Sequence, residues 1–130
     1  MDIDRLVATF EFLDDWEERY ATIIGLGKKL APMDDSLKTE ATKVHGCQSQ
    51  VWMVHEKDAE GRFHFIADSD AHIVRGLIAI LLMIYEGKTR EEIAAVPIAD
   101  HFARLGLDRH LSPLRSNGLH AMVARIRAAE

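Results

Sequence analysis

One thiol stands in this chain of 130 residues, within Val44-His45-Gly46-Cys47-Gln48-Ser49-Gln50-Val51-Trp52. A lone cysteine cannot close an intramolecular disulfide, form a Cys-X-X-Cys redox pair or build a multi-cysteine zinc site. Two roles remain: a buried structural thiol, or a nucleophile that works alone. The setting favours the nucleophile. Gly46 precedes the thiol, polar Gln48, Ser49 and Gln50 follow it, and an apolar run begins at Val51. That is the pattern of a turn between extended segments. The reactive form is the thiolate, and an ordinary cysteine with a pKa of about 8.5 is only slightly ionised at neutral pH. A neighbouring cation raises that fraction, and His45 is the candidate close in sequence. Gly46 gives the loop backbone freedom to present or withdraw the thiol. Trp52 and the strand behind it are expected to shelter it in an apolar pocket.

Other chemistries find no support. Seven histidines (45, 55, 64, 72, 101, 110 and 120) show neither His-X₃-His nor Glu-X-X-His spacing. With one cysteine, neither a structural zinc site nor a thiolate-ligated iron–sulfur cluster is expected. No bound metal or cofactor is called for. There is no serine nucleophile elbow, Walker loop or dinucleotide fingerprint. Gly25-Leu26-Gly27 falls late in a helical stretch with no strand before it. The net charge of −5 argues against nucleic acid as the main partner, because phosphate contacts need clustered Lys and Arg. Lys28-Lys29 reads as a helix C-terminus that favours cations.

The elements that must position Cys47 follow from periodicity. Leu6, Val7, Phe10 and Leu13 recur at helical spacing, and a second helix spans about 15–30, carrying Trp16, Tyr20, Ile23, Ile24 and Leu26. Pro32 ends it, and 33–42 is a polar loop. Strands are expected over 50–56 and 62–67, joined by the turn Asp58-Ala59-Glu60-Gly61. A short strand over 41–45 would make three antiparallel strands. Asp68 or Ser69 then caps a long helix over 70–86. From Ile73 to Tyr85 it is apolar nearly all round, so it is a central helix covered on several sides. Gly87 terminates it. Thr89-Arg90-Glu91-Glu92 is a capping box opening a short helix. Pro97 breaks that helix, and 98–105 is another short one with a Gly106 stop. Ser112 and Pro113 fit the cap and first position of a last helix, whose stripe is Leu119, Met122, Val123 and Ile126. One α+β domain over 1–130 results, a three-stranded antiparallel sheet packed against several helices. A hydrophobic content of 48% suits such a domain. The longest apolar run, 77–85, falls short of the roughly 20 residues that a bilayer needs. The acidic N-terminus lacks the signature of a signal or transit peptide, so a reduced cytoplasmic setting is expected.

Four blocks resemble the SufE family, sulfur-accepting partners of cysteine desulfurases. They are Trp16-Glu17-Glu18-Arg19-Tyr20 with Ile23-Ile24 and Leu26-Gly27, Gly46-Cys47-Gln48-Ser49-Gln50-Val51-Trp52, Asp68-Ser69-Asp70-Ala71, and His110-Leu111-Ser112-Pro113 with Arg115, Asn117-Gly118-Leu119 and Ala121-Met122. They fall in family order and cover nearly the whole chain. The resemblance implies the fold shared with IscU-type scaffolds, and a carrier rather than a scaffold. It implies that Cys47 accepts persulfide sulfur from a pyridoxal-phosphate desulfurase (SufS- or CsdA-like), stimulates it, and passes sulfur to a SUF scaffold complex for iron–sulfur assembly. Supporting roles are expected for His45, Gly46, Gln48, Ser49, Asp70 and Arg115. Arg115 is a second cation for the thiolate. Asp70 is either a helix N-terminal acid or a residue holding the cysteine loop. A monomer or weak homodimer is expected. Three alternatives stay open: a CsdE-like partner of a second desulfurase feeding tRNA modification, a non-covalent desulfurase activator with a structural Cys47, and a thiol-dependent enzyme such as a peroxidase or transferase, which the absence of a resolving cysteine and of a clear catalytic base weakens.

Overall fold

The computed structural model describes residues 2–130. Its axis is α3 (His72–Tyr85). Val74, Leu77, Ile78, Ile80, Leu81, Ile84 and Tyr85 are all buried, while Leu82 and Met83 are half-buried, so the helix is covered on most sides, as its apolarity requires. Each fully buried Leu or Ile contributes roughly 1.5–3 kcal/mol. The N-terminus of α3 departs from expectation. Its cap is Ala71, which has no side-chain acceptor. Asp68 and Ser69 are instead the last residues of a strand. The Ser69 hydroxyl accepts the Ala71 N–H (3.2 Å), and the Asp68 carboxylate accepts the Ser69 N–H (2.8 Å). The remaining capacity of the buried Asp68 carboxylate is taken by Lys38 at 3.2 Å and Arg75 at 3.3 Å, because a buried charge needs partners.

Helix α1 (Ile3–Phe12) is capped by the Asp2 carboxylate and buries Leu6, Val7 and Phe10. Helix α2 (Trp16–Gly27) is capped by Asp15 in the same way. It crosses α3 at close range: a Cβ on Gly76 would lie 2.2 Å from the Ile23 carbonyl oxygen, so only glycine fits there. The helix stops at Gly27, before Pro32, and 28–30 continue as turns bonded back to Ile24 and Gly27.

Strands β1 (Val51–Lys57) and β2 (Phe63–Ser69) pair antiparallel, with Val51 opposite Ser69 and Lys57 opposite Phe63. Alternation sends Val51, Met53, Phe63, Phe65 and Ala67 into the core. Trp52, Val54 and Ile66 take the outer face, where the Lys38 ammonium lies 5.5 Å from the Trp52 ring centroid. The third strand expected over 41–45 is corrected to a single bridge between Lys43 and Trp52. Two bonds form it, from the Val44 N–H to the Val51 carbonyl (2.8 Å) and from the Met53 N–H to the Thr42 carbonyl (2.9 Å). The chain cannot stay extended longer. Before the bridge, Thr39 and Thr42 bond to one another in a turn, and after it Gly46 turns the chain again.

The remaining helices are α4 (Arg90–Ala95), α5 (Ile98–Leu105), α6 (Leu107–His110) and α7 (Pro113–Arg127). The Thr89–Glu92 capping box opens α4, and Ser112 caps α7 with Pro113 at its first position. Four-residue α6 has no counterpart in the sequence reading. Leu119, Met122, Val123 and Ile126 bury the inner stripe of α7. The result is an α+β fold in which α3 and α7 pack beneath a two-stranded sheet and the loop that precedes it.

Candidate functional site

Cys47 lies on the loop between the Lys43–Trp52 bridge and β1, and that loop rests on α7. The thiol is half-buried and donates to the Gly118 carbonyl, with Sγ 3.6 Å from the oxygen. Contact this close needs a small residue on the helix. A Cβ on Gly118 would sit 3.5 Å from Sγ. One residue earlier, Gly46 takes φ +94°, the left-handed region that glycine enters without strain. Its α-carbon faces Ala121, again a small residue of α7.

A cavity of about 50 Å³ opens beside the thiol. Cys47, Gln48 and Ser49 form one wall, Val74 and Leu77 of α3 the floor, and Leu114, Arg115, Gly118, Leu119 and Met122 of α7 the other wall. A water needs roughly 10–15 Å³ of such space. A sulfur atom is only modestly larger, so the cavity holds one extra sulfur on Sγ with room to spare. Burial pushes the Cys47 thiol above its ordinary pKa, because desolvation penalises the thiolate. At rest the group is therefore a protected thiol. Moving it toward water lowers its pKa again and makes it a nucleophile.

The residues singled out from the sequence divide into two sets. Gln48, Ser49 and Arg115 line the cavity with Cys47, and Gly46 shapes the turn. Arg115 is exposed in the first turn of α7, and its guanidinium makes no ion pair or hydrogen bond among the described residues. Asp70 is not part of the cavity. Its carboxylate accepts the Gln50 N–H at 3.0 Å and its own N–H donates to the Gln50 carbonyl at 3.3 Å, so it fastens the outgoing end of the loop. His45 is exposed and lies outside the cavity, with no hydrogen-bond partner among the described residues. The shelter for the thiol comes from α3 and α7 rather than from Trp52, whose position in β1 sends it to the outer sheet face.

Of the α7 side of this site, Arg115 was expected from the sequence, whereas Gly118 and Leu114 were given no role there. Gly118 is an isolated glycine in a helical stripe, a position that usually has a packing reason. Leu114, 55% exposed at the rim of the cavity, carried no signal, since a single surface leucine is ordinary. Among the described residues, no group of three or more His, Cys, Asp or Glu side chains is placed to hold a metal ion. No helix among them is long and apolar enough to cross a membrane.

The model of the SufE family, described as an Fe-S metabolism associated domain, matches residues 4–130. The chain belongs to the SufE family. An uncharacterized SufE-like protein of Rhizobium etli is 48% identical over 128 residues, covering 96% of this chain and 86% of that protein. Another, of Rhizobium meliloti, is 46% identical over 129 residues, covering 97% and 92%. The fold is similar to the solution structure of a hypothetical protein from Thermus thermophilus. The TM-score is 0.75 at 23% identity, over 97% of this chain and 90% of that one. SufE membership ties the chain to iron–sulfur metabolism and to sulfur handling with cysteine desulfurases in general.

Proposed function

We propose that this SufE-family protein is a covalent sulfur carrier that takes persulfide sulfur from a pyridoxal-phosphate cysteine desulfurase onto Cys47, stimulates that enzyme, and passes the sulfur to an iron–sulfur assembly complex. The observation that carries the reading is the lone thiol beside a small, partly open cavity with room for one more sulfur atom.

The chemistry is thiol exchange at sulfane sulfur. The Cys47 thiolate attacks the outer sulfur of the desulfurase persulfide. A bond forms between Sγ and that sulfur, the sulfur–sulfur bond of the donor breaks, and the donor cysteine leaves as thiolate. No oxidant or reductant is consumed. The resting protein is poorly set for the attack, because its thiol is protonated and bonded to Gly118. The loop must therefore lift toward the donor. Release of Asp70 from Gln50 frees one end of it, and Arg115 at the rim supplies positive charge to the emerging thiolate. Once loaded, the loop returns and the cavity shields the persulfide from oxidants and stray thiols. Gln48, Ser49, Leu114 and Arg115 surround the opening and form the surface that a desulfurase would meet.

The half-buried thiol also suits the second reading, a non-covalent activator whose cysteine is structural. Intact-protein mass spectrometry separates the two. After incubation with a cysteine desulfurase and free cysteine, the carrier gains about 32 Da, one sulfur atom, which reductant removes. Cys47→Ser shows no gain and loses the stimulation. Full stimulation by Cys47→Ser would instead establish the activator. A CsdE-like role is distinguished by which desulfurase loads the protein and which acceptor unloads it.

A further inference from the structure

The incoming arm of the cysteine loop is fastened by a residue that no part of the sequence pattern brought forward. From α7, the Arg125 guanidinium donates through Nη1 to the Lys43 carbonyl and through Nη2 to the Ala41 carbonyl, both at 3.3 Å. The geometry has a plain cause. Lys43 and Trp52 face each other as the pair whose own N–H and C=O point away from the partner strand. The Lys43 carbonyl is therefore directed off the open edge of the sheet. The Ala41 carbonyl, in the turn just before the bridge, lies within reach of the same guanidinium, whose planar fork spans the two acceptors. Where a third full strand would need a fourth to satisfy it, one guanidinium suffices.

The placement of Arg125 along its helix gives this contact a role. Arg115, Gly118, Ala121 and Arg125 recur every three or four residues, so they lie along one face of α7. In that order they meet the cavity rim, the Cys47 sulfur, Gly46, and the carbonyls of Lys43 and Ala41. The loop thus lies along α7 and is rooted at Arg125. No carboxylate pairs with the Arg125 guanidinium among the described residues, so its donors are committed to this backbone. We propose that Arg125 is a positioning residue for the cysteine: it fixes the register in which the loop meets α7 and so sets how far the Cys47 thiol is withdrawn. The proposal rests on Cys47 being the working thiol, but it concerns the seating of the loop and not the identity of the donor.

The experiment is the rate of Cys47 alkylation by iodoacetamide in the isolated protein, with no desulfurase present. The variants are Arg125→Ala, Arg125→Lys and, as a control, Arg127→Ala. Arg127 makes a comparable clamp elsewhere, donating to the carbonyls of Ala94 (3.3 Å) and Val96 (3.5 Å). Losing the Arg125 clamp should raise the alkylation rate about tenfold. Arg125→Lys should recover part of the protection, because an ammonium reaches one carbonyl but not both. Arg127→Ala should alkylate at the parent rate. If Arg125→Ala does not fold, Arg125→Lys carries the test through exchange of the Val44 and Met53 amides, which should quicken while the amides of α3 do not. Parent-like alkylation in a folded Arg125→Ala, parent-like exchange of those two amides in Arg125→Lys where Arg125→Ala cannot be read, or an equal rise in Arg127→Ala overturns the proposal. Sulfur loading of the parent protein is scored separately. Faster alkylation in Arg125→Ala with no loading of the parent by desulfurase would keep the positioning role and refute the carrier reading.

Discussion

Two turns flank β1, each built on a glycine in the left-handed region, and they are held in opposite ways. The hairpin turn, with Gly61 at φ +79°, holds itself. The Asp58 carboxylate accepts the N–H groups of Glu60 (2.9 Å) and Arg62 (3.0 Å), and the Gly61 N–H returns to the Asp58 carbonyl (3.0 Å). The cysteine loop, with Gly46 at φ +94°, has no such internal bonds among the described residues. Its contacts come from outside: Gly118 and Ala121 on α7, Arg125 at one end and Asp70 at the other. A self-bonded turn is rigid wherever it sits. A loop held from outside is seated only while its partners stay, so it can be released without unfolding what surrounds it.

The largest expected effect comes from placing the same strain in both turns. Gly46→Ala and Gly61→Ala each force a Cβ into the left-handed region, which costs roughly 1–2 kcal/mol. The added methyl itself has room in both: the nearest atom is 3.4 Å away at Gly46, and nothing lies within 4 Å at Gly61. Urea denaturation should therefore show similar losses. Alkylation of Cys47 should separate them, rising clearly in Gly46→Ala and staying at the parent rate in Gly61→Ala. Equal alkylation in both variants would mean that the cysteine loop is as self-supporting as the hairpin.

The next effect is smaller and opposite in sign. Gly118→Ala replaces a helix-interior glycine, a change that stabilises a helix by roughly 0.5–1 kcal/mol. The new methyl would lie 3.5 Å from the Cys47 sulfur, an ordinary contact that displaces nothing. It also takes space from the cavity that a second sulfur would occupy. The melting temperature should hold or rise slightly, while the persulfide on a loaded protein should decay faster in the presence of free thiols. A variant that is both more stable and equally able to keep its sulfur would show that the cavity is not where the persulfide rests.

The same contrast explains what could be read before the structure. The hairpin was legible because its chemistry is local: Asp58 and Gly61 are turn residues, and Phe63 and Phe65 alternate with His64 and Ile66. So were the caps at Thr89 and Ser112 and the central helix, which rest on short-range spacing. Cys47 was legible from its motif and from being the lone thiol. The seating of its loop was not, because Arg125 lies 82 positions beyond Lys43 and Gly118 lies 71 beyond Cys47. The third strand failed for a related reason. The 41–45 segment has strand-like residues, but its pairing is limited by turns on both sides and its open edge is satisfied by a helix. In sequence, Asp68 has the look of a helix cap, as Ser69 does, because its neighbours are cap residues. The charges that hold it in β2 instead, Lys38 and Arg75, cannot be matched to it by spacing.

The smallest effect probes the hairpin alone. The His64 ring lies between two carboxylates, 2.9 Å from Asp58 and 2.6 Å from Glu86, while the other Glu86 oxygen accepts the Phe65 N–H. Both ring nitrogens face acceptors, so the protonated ring is favoured. Hydrogen bonding to Asp58, then to Glu86, raises His64 above its ordinary value of 6.5. The bond from His64 likewise lowers Asp58 below 3.8. The contribution of this contact to stability is complete between those two ordinary values. It fades as pH rises through the raised value of His64, and as pH falls through the lowered value of Asp58. All three groups are exposed, so the contribution is modest. His64→Gln should melt below the parent protein at pH 5 to 6, and the gap should close on the alkaline side. A gap that does not change with pH would assign the effect to packing rather than charge. At every pH the alkylation of Cys47 should match that of the parent, because nothing in the hairpin turn reaches the cysteine loop.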